Sequence, residues 1–345
     1  MTSAALASVR AADVAAVPEA VLARLRAGRR VLTVCHENPE ADALGSALAH
    51  ALIVEALGGI ATPVCADPVP PMYDFLPRLD RFRQAPDPDL DYDLIVVGDC
   101  GDLARVGPLL ETHAELFGRV PILDIDHHRS NPGFGAIDWI DPEAAATCEM
   151  TTLLALALDL PLDLAEGALA ANLLAGLVID TATFQHPNVT PRTLRVGAEL
   201  LAAGAPLADI SRRLYRTKPD RQLRLFGLVL ARLETRAEGR VAWSTLAESD
   251  LAASGTTAAD SEGLIDLLSQ AEGAEVVILF KEVGPETRLS LRTRDGGVDA
   301  TELSRRFGGG GHARAAGATL QLPLAEARSA VLAEAERLVA ALPGR

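Results

Sequence analysis

Short apolar runs that alternate with longer helical patterns constrain the fold of this chain more than any other feature of its sequence. The runs that we predict to be buried parallel strands are Val31–Cys35, Leu94–Val97 and Ile122–Ile125. The helical patterns cover Ala43–Leu57, Cys148–Leu158, Ala165–Ile179 and Thr193–Gly204. Strands that alternate with helices predict an α/β fold, built as a doubly wound and mainly parallel sheet.

A basic helical segment, Ser211–Arg236, leads to a second and smaller α/β pattern. Pro219 is expected near the start of a connecting helix, because its fixed φ suits a first helical turn. The apolar runs of the second pattern are Val276–Phe280 and Leu289–Leu291, and its closing helix begins at Leu324. We therefore predict a larger first domain over residues 1–213, a helical linker over 214–239 and a smaller α/β domain over 240–345.

Side chains of the kinds that bind metals follow four apolar runs. They are His36, Glu40 and Asp42 after the first run, Asp99 after the second, Asp126, His127 and His128 after the third, and Asp180 after Ala175–Ile179. Ligands bind at the carboxyl ends of the strands in an open α/β sheet. Ala175–Ile179 also falls within the helical pattern Ala165–Ile179. We nevertheless treat all four runs as strands here and therefore expect the four groups to meet at one edge of the sheet.

Carboxylates and imidazoles without a set of thiolates favour Mn²⁺, Mg²⁺ or similar cations over structural zinc. Taken alone, Asp99 or Asp180 is more often a helix N-cap, and His36 is more often a half-buried core histidine. The joint occurrence of the four groups is what favours a two-metal site. Such a site activates water and neutralises charge on a phosphoryl group.

The net charge of −15 argues against the coating of long duplex DNA, which needs many cationic phosphate contacts. It is compatible with a short anionic ligand if metal ions and a few arginines supply local positive charge. Because no apolar run is long enough for a bilayer and no signal-peptide pattern is present, we expect a cytoplasmic protein. The four cysteines have neither metal-site nor redox spacing and are predicted to be buried free thiols.

A glycine-rich segment, Phe307–Gly317, lies in the second domain. Consecutive glycines, including Gly310 and Gly311, allow successive backbone N–H groups to converge on an anion. His312 and Arg314 add charged donors, and the guanidinium suits a bidentate phosphate contact. The alternative interpretation is a flexible hairpin turn.

As a set, these motifs resemble the DHH phosphoesterases, a family named for the triplet found here at Asp126-His127-His128. The resemblance extends from Val31 to the C-terminal helix. It points in particular to small bacterial oligoribonucleases that also dephosphorylate pAp (3′-phosphoadenosine 5′-phosphate). The segments similar to the fourth motif and to the C-terminal substrate domain of that group are Asp180-Thr181 with Phe184, Thr190–Leu194, and Gly308–Gly317.

The resemblance implies two divalent cations, Mn²⁺ or alternatively Mg²⁺. The residues implied for the first ion are His36, Glu40 and Asp99. Those implied for the second are Asp42, Asp99, His127 and Asp180, so that Asp99 bridges the two.

The resemblance also implies catalytic roles beside the metal ligands and a set of substrate contacts. His128 would contact the scissile phosphate or the leaving group, and Asp126 would orient a histidine. The residues implied at the non-scissile end of the substrate are Arg292, His312 and Arg314, beside Gly310 and Gly311. A substrate would then reach from the metals to the second domain, which predicts a preference for short oligonucleotides.

One departure from the family concerns Glu40, because the family usually has Asp at this position. Glutamate is one methylene longer, so its carboxylate must fold back or the first metal must shift. It remains a hard oxygen ligand. The change therefore bears on metal preference and rate more than on reaction class.

The activity expected from the resemblance is 5′-to-3′ degradation of oligonucleotides a few residues long, with phosphatase activity on pAp. The partners expected are short RNA or DNA, pAp or dinucleotides, with no long duplex and no membrane, and a homodimer is left open. One alternative is a phosphodiesterase for cyclic or linear dinucleotides. From another class, a nucleotide-binding regulatory protein with an impaired metal site is favoured only by Glu40.

Overall fold

A computed structural model describes residues 9–294 and 296–342 of the chain, except for the side chain of His312. Two compact units, Met1–Thr217 and Lys218–Arg345, make up the protein. Within the described ranges no helix is long and apolar enough to cross a bilayer. All four cysteines are free and buried, as predicted.

The first unit contains a five-stranded parallel sheet, which confirms the predicted fold class. Its strands are β1 (Arg30–Val34), β2 (Ile60–Val64), β3 (Leu94–Gly98), β4 (Ile122–Asp126) and β5 (Ile137–Ile140). They lie in the order β2-β1-β3-β4-β5. The sequence patterns missed β2 and β5, because Pro63 and Asp138 interrupt short runs at the two edges of the sheet.

Nine α-helices accompany this sheet within the described part of the unit. They are α1 (Ala11–Ala15), α2 (Glu19–Ala27), α3 (Ala41–Ala56), α4 (Pro108–Thr112), α5 (Ala114–Arg119), α6 (Thr147–Ala157), α7 (Ala168–Asp180), α8 (Pro191–Ala202) and α9 (Leu207–Tyr215). Alternate strand residues enter opposite cores. Val31 and Val96 pack into the core of α3, α6 and α7, whereas Leu32 and Val97 face that of α4 and α5. Both faces are covered, as a parallel sheet requires.

Helices α3 and α7 lie against each other in the centre of the first core. Every residue from Ala41 to Val54 and from Ala168 to Val178 is buried. A Cβ on Gly176 would overlap Oδ1 of Asp42 and Sγ of Cys148, and one on Gly45 would lie 2.5 Å from the carbonyl oxygen of Asn172. Glycine therefore permits the close helix contact that brings Asp42 beside α7.

The expectation that Asp180 follows a strand is wrong. Residues 175–179 form the end of α7, and Asp180 is its last residue. A short apolar run cannot distinguish a buried strand from one side of a buried helix, and here helices surround the run. The start of α7 also differs from the predicted pattern, because Ala165, Glu166 and Gly167 have positive φ angles of 55°, 63° and 85°.

The second unit contains a mixed sheet of six strands. They are β6 (Glu234–Arg236), β7 (Val241–Leu246), β8 (Val276–Val283), β9 (Glu286–Thr293), β10 (Gly310–His312) and β11 (Ala315–Leu320), in the order β10-β11-β9-β8-β7-β6. Among these six described strands, only β7 and β8 pair in parallel. The helices are α10 (Asp220–Leu230), α11 (Glu248–Ser254), α12 (Leu264–Leu268), α13 (Ala300–Arg305) and α14 (Leu324–Ala340). Helix α10 packs into a core of this unit, together with α12.

The glycine-rich segment forms the edge strand β10. Gly310 pairs with Gly317 of β11 in antiparallel register. A Cβ on Gly309 would overlap the carbonyl oxygen of Gly317, and Gly311 has a φ of 139°. Close contact between the strands therefore explains why positions 309 and 311 need glycine. The N–H of Gly309 donates to the carbonyl of Ser304, so it is occupied within the unit.

We expect Gly176→Ala to lower the free energy of unfolding by about 1–3 kcal/mol, because the methyl group would be forced between α3, α6 and α7. Gly118→Ala in α5 is the matched control, since nothing lies within 4 Å of its Cβ position, and alanine there should stabilise by up to about 1 kcal/mol. Urea unfolding followed by circular dichroism measures both. Equal stability of the two variants would contradict the close packing.

Candidate metal centre

Asp99 lies in the middle of the polar cluster at the carboxyl end of the sheet. It directly follows β3, is 3% exposed, and has a φ of 58°, a left-handed conformation that is uncommon outside glycine. Its Oδ2 is 3.7 Å from Nε2 of His36, and its Oδ1 is 3.4 Å from Nε2 of His127 and 3.8 Å from Nδ1 of His128. Three imidazoles thus surround one carboxylate.

Three sets of side chains each bring their ligand atoms within 4.8 Å of one another. The sets are His36, Glu40 and Asp99; Asp42, His127 and Asp180; and Asp99, His127 and His128. The first holds all residues implied for the first ion. The second holds three of the four implied for the second ion, and His127 connects it to Asp99. The sets contain only carboxylates and imidazoles, a donor chemistry that fits divalent cations such as Mn²⁺ and Mg²⁺.

Two imidazoles are oriented by backbone carbonyls. Nδ1 of His36 lies 2.7 Å from the carbonyl oxygen of Glu37, and Nδ1 of His127 lies 3.3 Å from that of Ala144. A carbonyl oxygen only accepts, so Nδ1 carries a proton in each ring, and Nε2 is the nitrogen that faces the carboxylates. Metal-binding histidines are commonly held in this way.

Asp126 holds His128 by a different contact. Oδ1 of buried Asp126 is 2.7 Å from Nδ1 of His128, and Oδ2 accepts a 2.8 Å hydrogen bond from Nδ2 of Asn131. Burial acts to raise the pKa of Asp126, but the hydrogen bond and positive charge of His128, together with the hydrogen bond from Asn131, hold that pKa below the usual value. The same bond raises the pKa of His128. This geometry suits the orienting role implied for Asp126.

The carboxylate of Asp42 is held at the N-terminus of α6. Its Oδ2 accepts a 2.7 Å hydrogen bond from the N–H of Thr147, and its Oδ1 accepts one of 2.9 Å from the N–H of Cys148. The hydroxyl of Thr147 also lies 3.2 Å from Oδ1 of Asp99. A helix N-terminus favours negative charge, so α6 positions and stabilises this carboxylate.

Glu40 is the N-cap of α3. Its Oε2 accepts a 2.7 Å hydrogen bond from the N–H of Asp42, and its Oε1 accepts one of 2.8 Å from the N–H of Ala43. The longer side chain thus folds back onto its own helix. A carboxylate oxygen nevertheless stays in the set with His36 and Asp99.

Burial and mutual repulsion act on the carboxylates of the cluster. Burial, with the negative charge of Asp99, raises the pKa of Glu40, and raises that of Asp42 to about 6. Burial and the charge of Asp42 also raise the pKa of Asp180. Burial opposes ionisation of Asp99 as well, but hydrogen bonds from His127 and His36 hold its pKa well below the usual range. Bound cations would relieve the repulsion among the acidic groups.

The sequence patterns did not identify a buried ion-pair network behind the cluster. Glu149, fully buried in α6, accepts a 2.5 Å hydrogen bond from Nε of Arg192 and one of 2.8 Å from the hydroxyl of Thr193. Arg192 also pairs with Asp141 at 2.8 Å. Arg192 and Thr193 belong to the segment Thr190–Leu194, which resembles a family motif. Glu149 lies in the helical pattern Cys148–Leu158, where nothing in the local sequence distinguishes it.

This network fixes the segment that touches the predicted ligands. Glu149 accepts a 3.2 Å hydrogen bond from the N–H of Ala145. Nδ2 of Asn188 lies 3.1 Å from the carbonyl oxygen of Ala145 and 3.2 Å from that of Asp180. The adjoining residues, Ala144 and Thr147, make the contacts to His127, Asp42 and Asp99 given above. The network thereby connects α6 and α8 to the cluster.

The substrate residues expected in the second unit lie around β9, β10 and β11. Arg292 pairs with Ala315 across β9 and β11, and its Nε lies 2.9 Å from Oδ1 of Asp266. Arg314 donates to the carbonyl oxygens of Arg294 and Val298, between β9 and α13. The backbone of His312 belongs to β10, but its side chain lies outside the described part of the chain. Their binding of substrate stays a prediction.

Comparisons with known proteins match a known domain family to a part of each unit. Residues 30–178 match the DHH family, N-terminal domain, and residues 239–341 match the DHHA1 domain. The chain is 34% identical over 298 residues, 86% of each chain, to the bifunctional oligoribonuclease and PAP phosphatase NrnA of Thermus thermophilus. It is 26% identical to the Bacillus subtilis protein of the same name, over 83% of this chain and 87% of that protein.

The fold also matches a solved structure over nearly its whole length. An exopolyphosphatase-related protein from Bacteroides fragilis superposes with a TM-score of 0.83 and 21% identity, over 99% of this chain and 100% of that one.

We expect Glu40→Asp to remain folded and to bind metal, because aspartate is a favoured N-cap and keeps a hard oxygen ligand. Its shorter carboxylate should change the relative affinities for Mn²⁺ and Mg²⁺. Titration calorimetry with each ion measures this, and Glu40→Ala, which removes cap and ligand together, is the comparison variant. A folded Glu40→Asp protein that binds neither ion would contradict the expectation.

We expect Glu149→Gln to weaken Mn²⁺ affinity about 10- to 100-fold, as loss of a group that orients metal ligands typically does. Glu143→Gln is the matched control, because Glu143 makes an exposed pair with Arg129. Equilibrium Mn²⁺ binding measures the affinity, and thermal unfolding in metal-free buffer measures the stability of each variant. Together they distinguish a loss of ligand positioning from a loss of folding. The idea fails if the two variants bind Mn²⁺ equally well.

Proposed function

We propose, because the chain belongs to the DHH phosphoesterase family, that it degrades short oligonucleotides from 5′ to 3′ and dephosphorylates pAp with the help of two divalent cations. One observation supports this most directly. The carboxyl ends of strands β1, β3 and β4, the start of α3 and the end of α7 bring together the carboxylates and imidazoles of three potential metal sets. The names of the two NrnA relatives, oligoribonuclease and PAP phosphatase, supply the substrate class.

The first ion in this proposal is held by His36, Glu40 and Asp99. The residues proposed for the second are Asp42, Asp99, His127 and Asp180. Bound there, divalent cations supply positive charge to a phosphoryl group and lower the pKa of water. We propose Mn²⁺, with Mg²⁺ as the alternative.

His128 is the side chain best placed to meet the substrate from the first unit. Asp126 engages its Nδ1, which leaves Nε2 for the scissile phosphate or the leaving group. The hydrogen bond with Asp126 raises the pKa of His128, and a protonated imidazole at this position would stabilise developing negative charge on a leaving oxygen. Arg292, Gly310, Gly311, His312 and Arg314 are proposed to bind the non-scissile end. A cytoplasmic site of action and short RNA, DNA or dinucleotide substrates belong to the same proposal.

We expect catalytic efficiency to fall as the substrate lengthens from two to about ten nucleotides, because the net charge of −15 disfavours long polyanions. A labelled length series, with pAp and a cyclic dinucleotide beside it, measures kcat/KM in Mn²⁺ and in Mg²⁺. Asp99→Ala is the inactive control, since it removes the carboxylate proposed to bridge the two ions. Equal efficiency on dinucleotides and long strands would refute the length preference, and turnover of the cyclic dinucleotide alone would favour a dinucleotide phosphodiesterase.

A further inference from the structure

An exposed aromatic ring lies beside the metal centre within the first unit. Tyr215 is the last residue of α9, and its hydroxyl is 3.2 Å from the carbonyl oxygen of Val178 and 3.1 Å from that of Ile179. These carbonyls directly precede Asp180, a proposed metal ligand. Tyr215 is 40% exposed. The hydroxyl is therefore anchored while part of the side chain remains open to solvent.

The electrostatics agree with this placement. Burial of the hydroxyl, and then the negative charges of Asp180 and Glu40, raise the pKa of Tyr215 to about 12. The hydroxyl therefore stays protonated at neutral pH and can donate to the end of α7. Tyr215 also lies close enough to the centre to be affected by two of its carboxylates.

Tyr215 differs from the other aromatic residues of the chain. The sequence contains eight Phe, three Tyr and two Trp, and within the described ranges every other one of them is buried or half-buried. A ring with its polar end fixed retains little freedom. It can therefore bind a flat ligand at small entropic cost, as rigid aromatic contact residues do.

A strained turn and an exposed histidine follow the same end of α7. Ala182, Thr183 and Phe184 form a left-handed turn with φ angles of 47°, 59° and 61°. After this turn, exposed His186 brings its Nδ1 to 3.1 Å from the carbonyl oxygen of Asp180. Consecutive left-handed residues other than glycine cost free energy, and such strain persists mainly where the surrounding structure imposes it, often at functional sites.

We propose that the ring of Tyr215 stacks against a nucleobase of the substrate whose phosphate lies at the metal centre. The inference rests on the function proposed above. Stacking on an aromatic ring accepts any base, because every base has a π face. The site would therefore require a base without selecting its identity, which suits an enzyme that acts on short oligonucleotides of any sequence.

Kinetics with Tyr215→Leu, using a dinucleotide and its abasic analogues, tests this proposal. We expect KM for the dinucleotide to rise about 5- to 100-fold, the loss expected for one stacked base, with kcat nearly unchanged. For the analogue that lacks the stacked base, the wild type and the variant should have equal KM. Leu201→Ala, a control with 44% exposure on α8, should leave every KM unchanged, and Tyr215→Phe should restore most of the lost binding because it keeps the ring.

A second measurement does not depend on turnover. Fluorescence of a 2-aminopurine dinucleotide, bound in the presence of Ca²⁺, should be quenched by the wild type and by Tyr215→Phe but not by Tyr215→Leu. An equal rise of KM for the dinucleotide and for all of its abasic analogues would overturn the stacking proposal while leaving the phosphoesterase function intact. A wild type that cleaves neither pAp nor oligonucleotides, yet quenches 2-aminopurine through Tyr215, would refute the proposed function and support the stacking site.

Discussion

The buried carboxylate of Asp99 is the interaction on which the rest of the site depends. It occupies a left-handed backbone position directly after the central strand β3, and its oxygens lie near His36, His127 and the hydroxyl of Thr147. His36 follows β1, His127 follows β4, and Thr147 is the first residue of α6. A single side chain therefore connects the sheet to its covering helices, and any shift of these elements changes the relative positions of the potential metal ligands.

Helix N-termini and a buried ion pair keep the acidic groups in place. Glu40 caps α3, Asp42 accepts two N–H groups from α6, and Glu149 ties the start of α6 to Arg192 in α8. Burial, and then repulsion between carboxylates this close together, raises the pKa values of Glu40 and Asp42. Backbone N–H donors supply part of the compensation, and divalent cations are suited to supply the remainder.

Much of the first unit was predictable, because buried parallel strands are continuous apolar runs followed by polar residues at the binding edge. The centres of β1, β3 and β4 were located in this way. The pattern failed where local sequence is ambiguous or atypical. Residues 175–179 were treated as a strand although they end α7, and β2, with Pro63, escaped notice at the sheet edge. In the second unit the glycines at 309 and 311 also permit close strand pairing, a role that the glycine-rich pattern did not indicate.

The sequence by itself determined the α/β class, the family resemblance and the kinds of side chains that gather at the sheet edge, since these follow from periodicity and from motifs of adjacent residues. Only the tertiary structure decided that Glu40 folds back to cap α3 and that the ion pair of Glu149 and Arg192 supports the ligands. It also decided that the hydroxyl of Tyr215, at the end of α9, contacts the end of α7. These contacts join residues through helix packing and burial. No local pattern encodes them, because the free energy that selects them arises only when distant segments exclude water together.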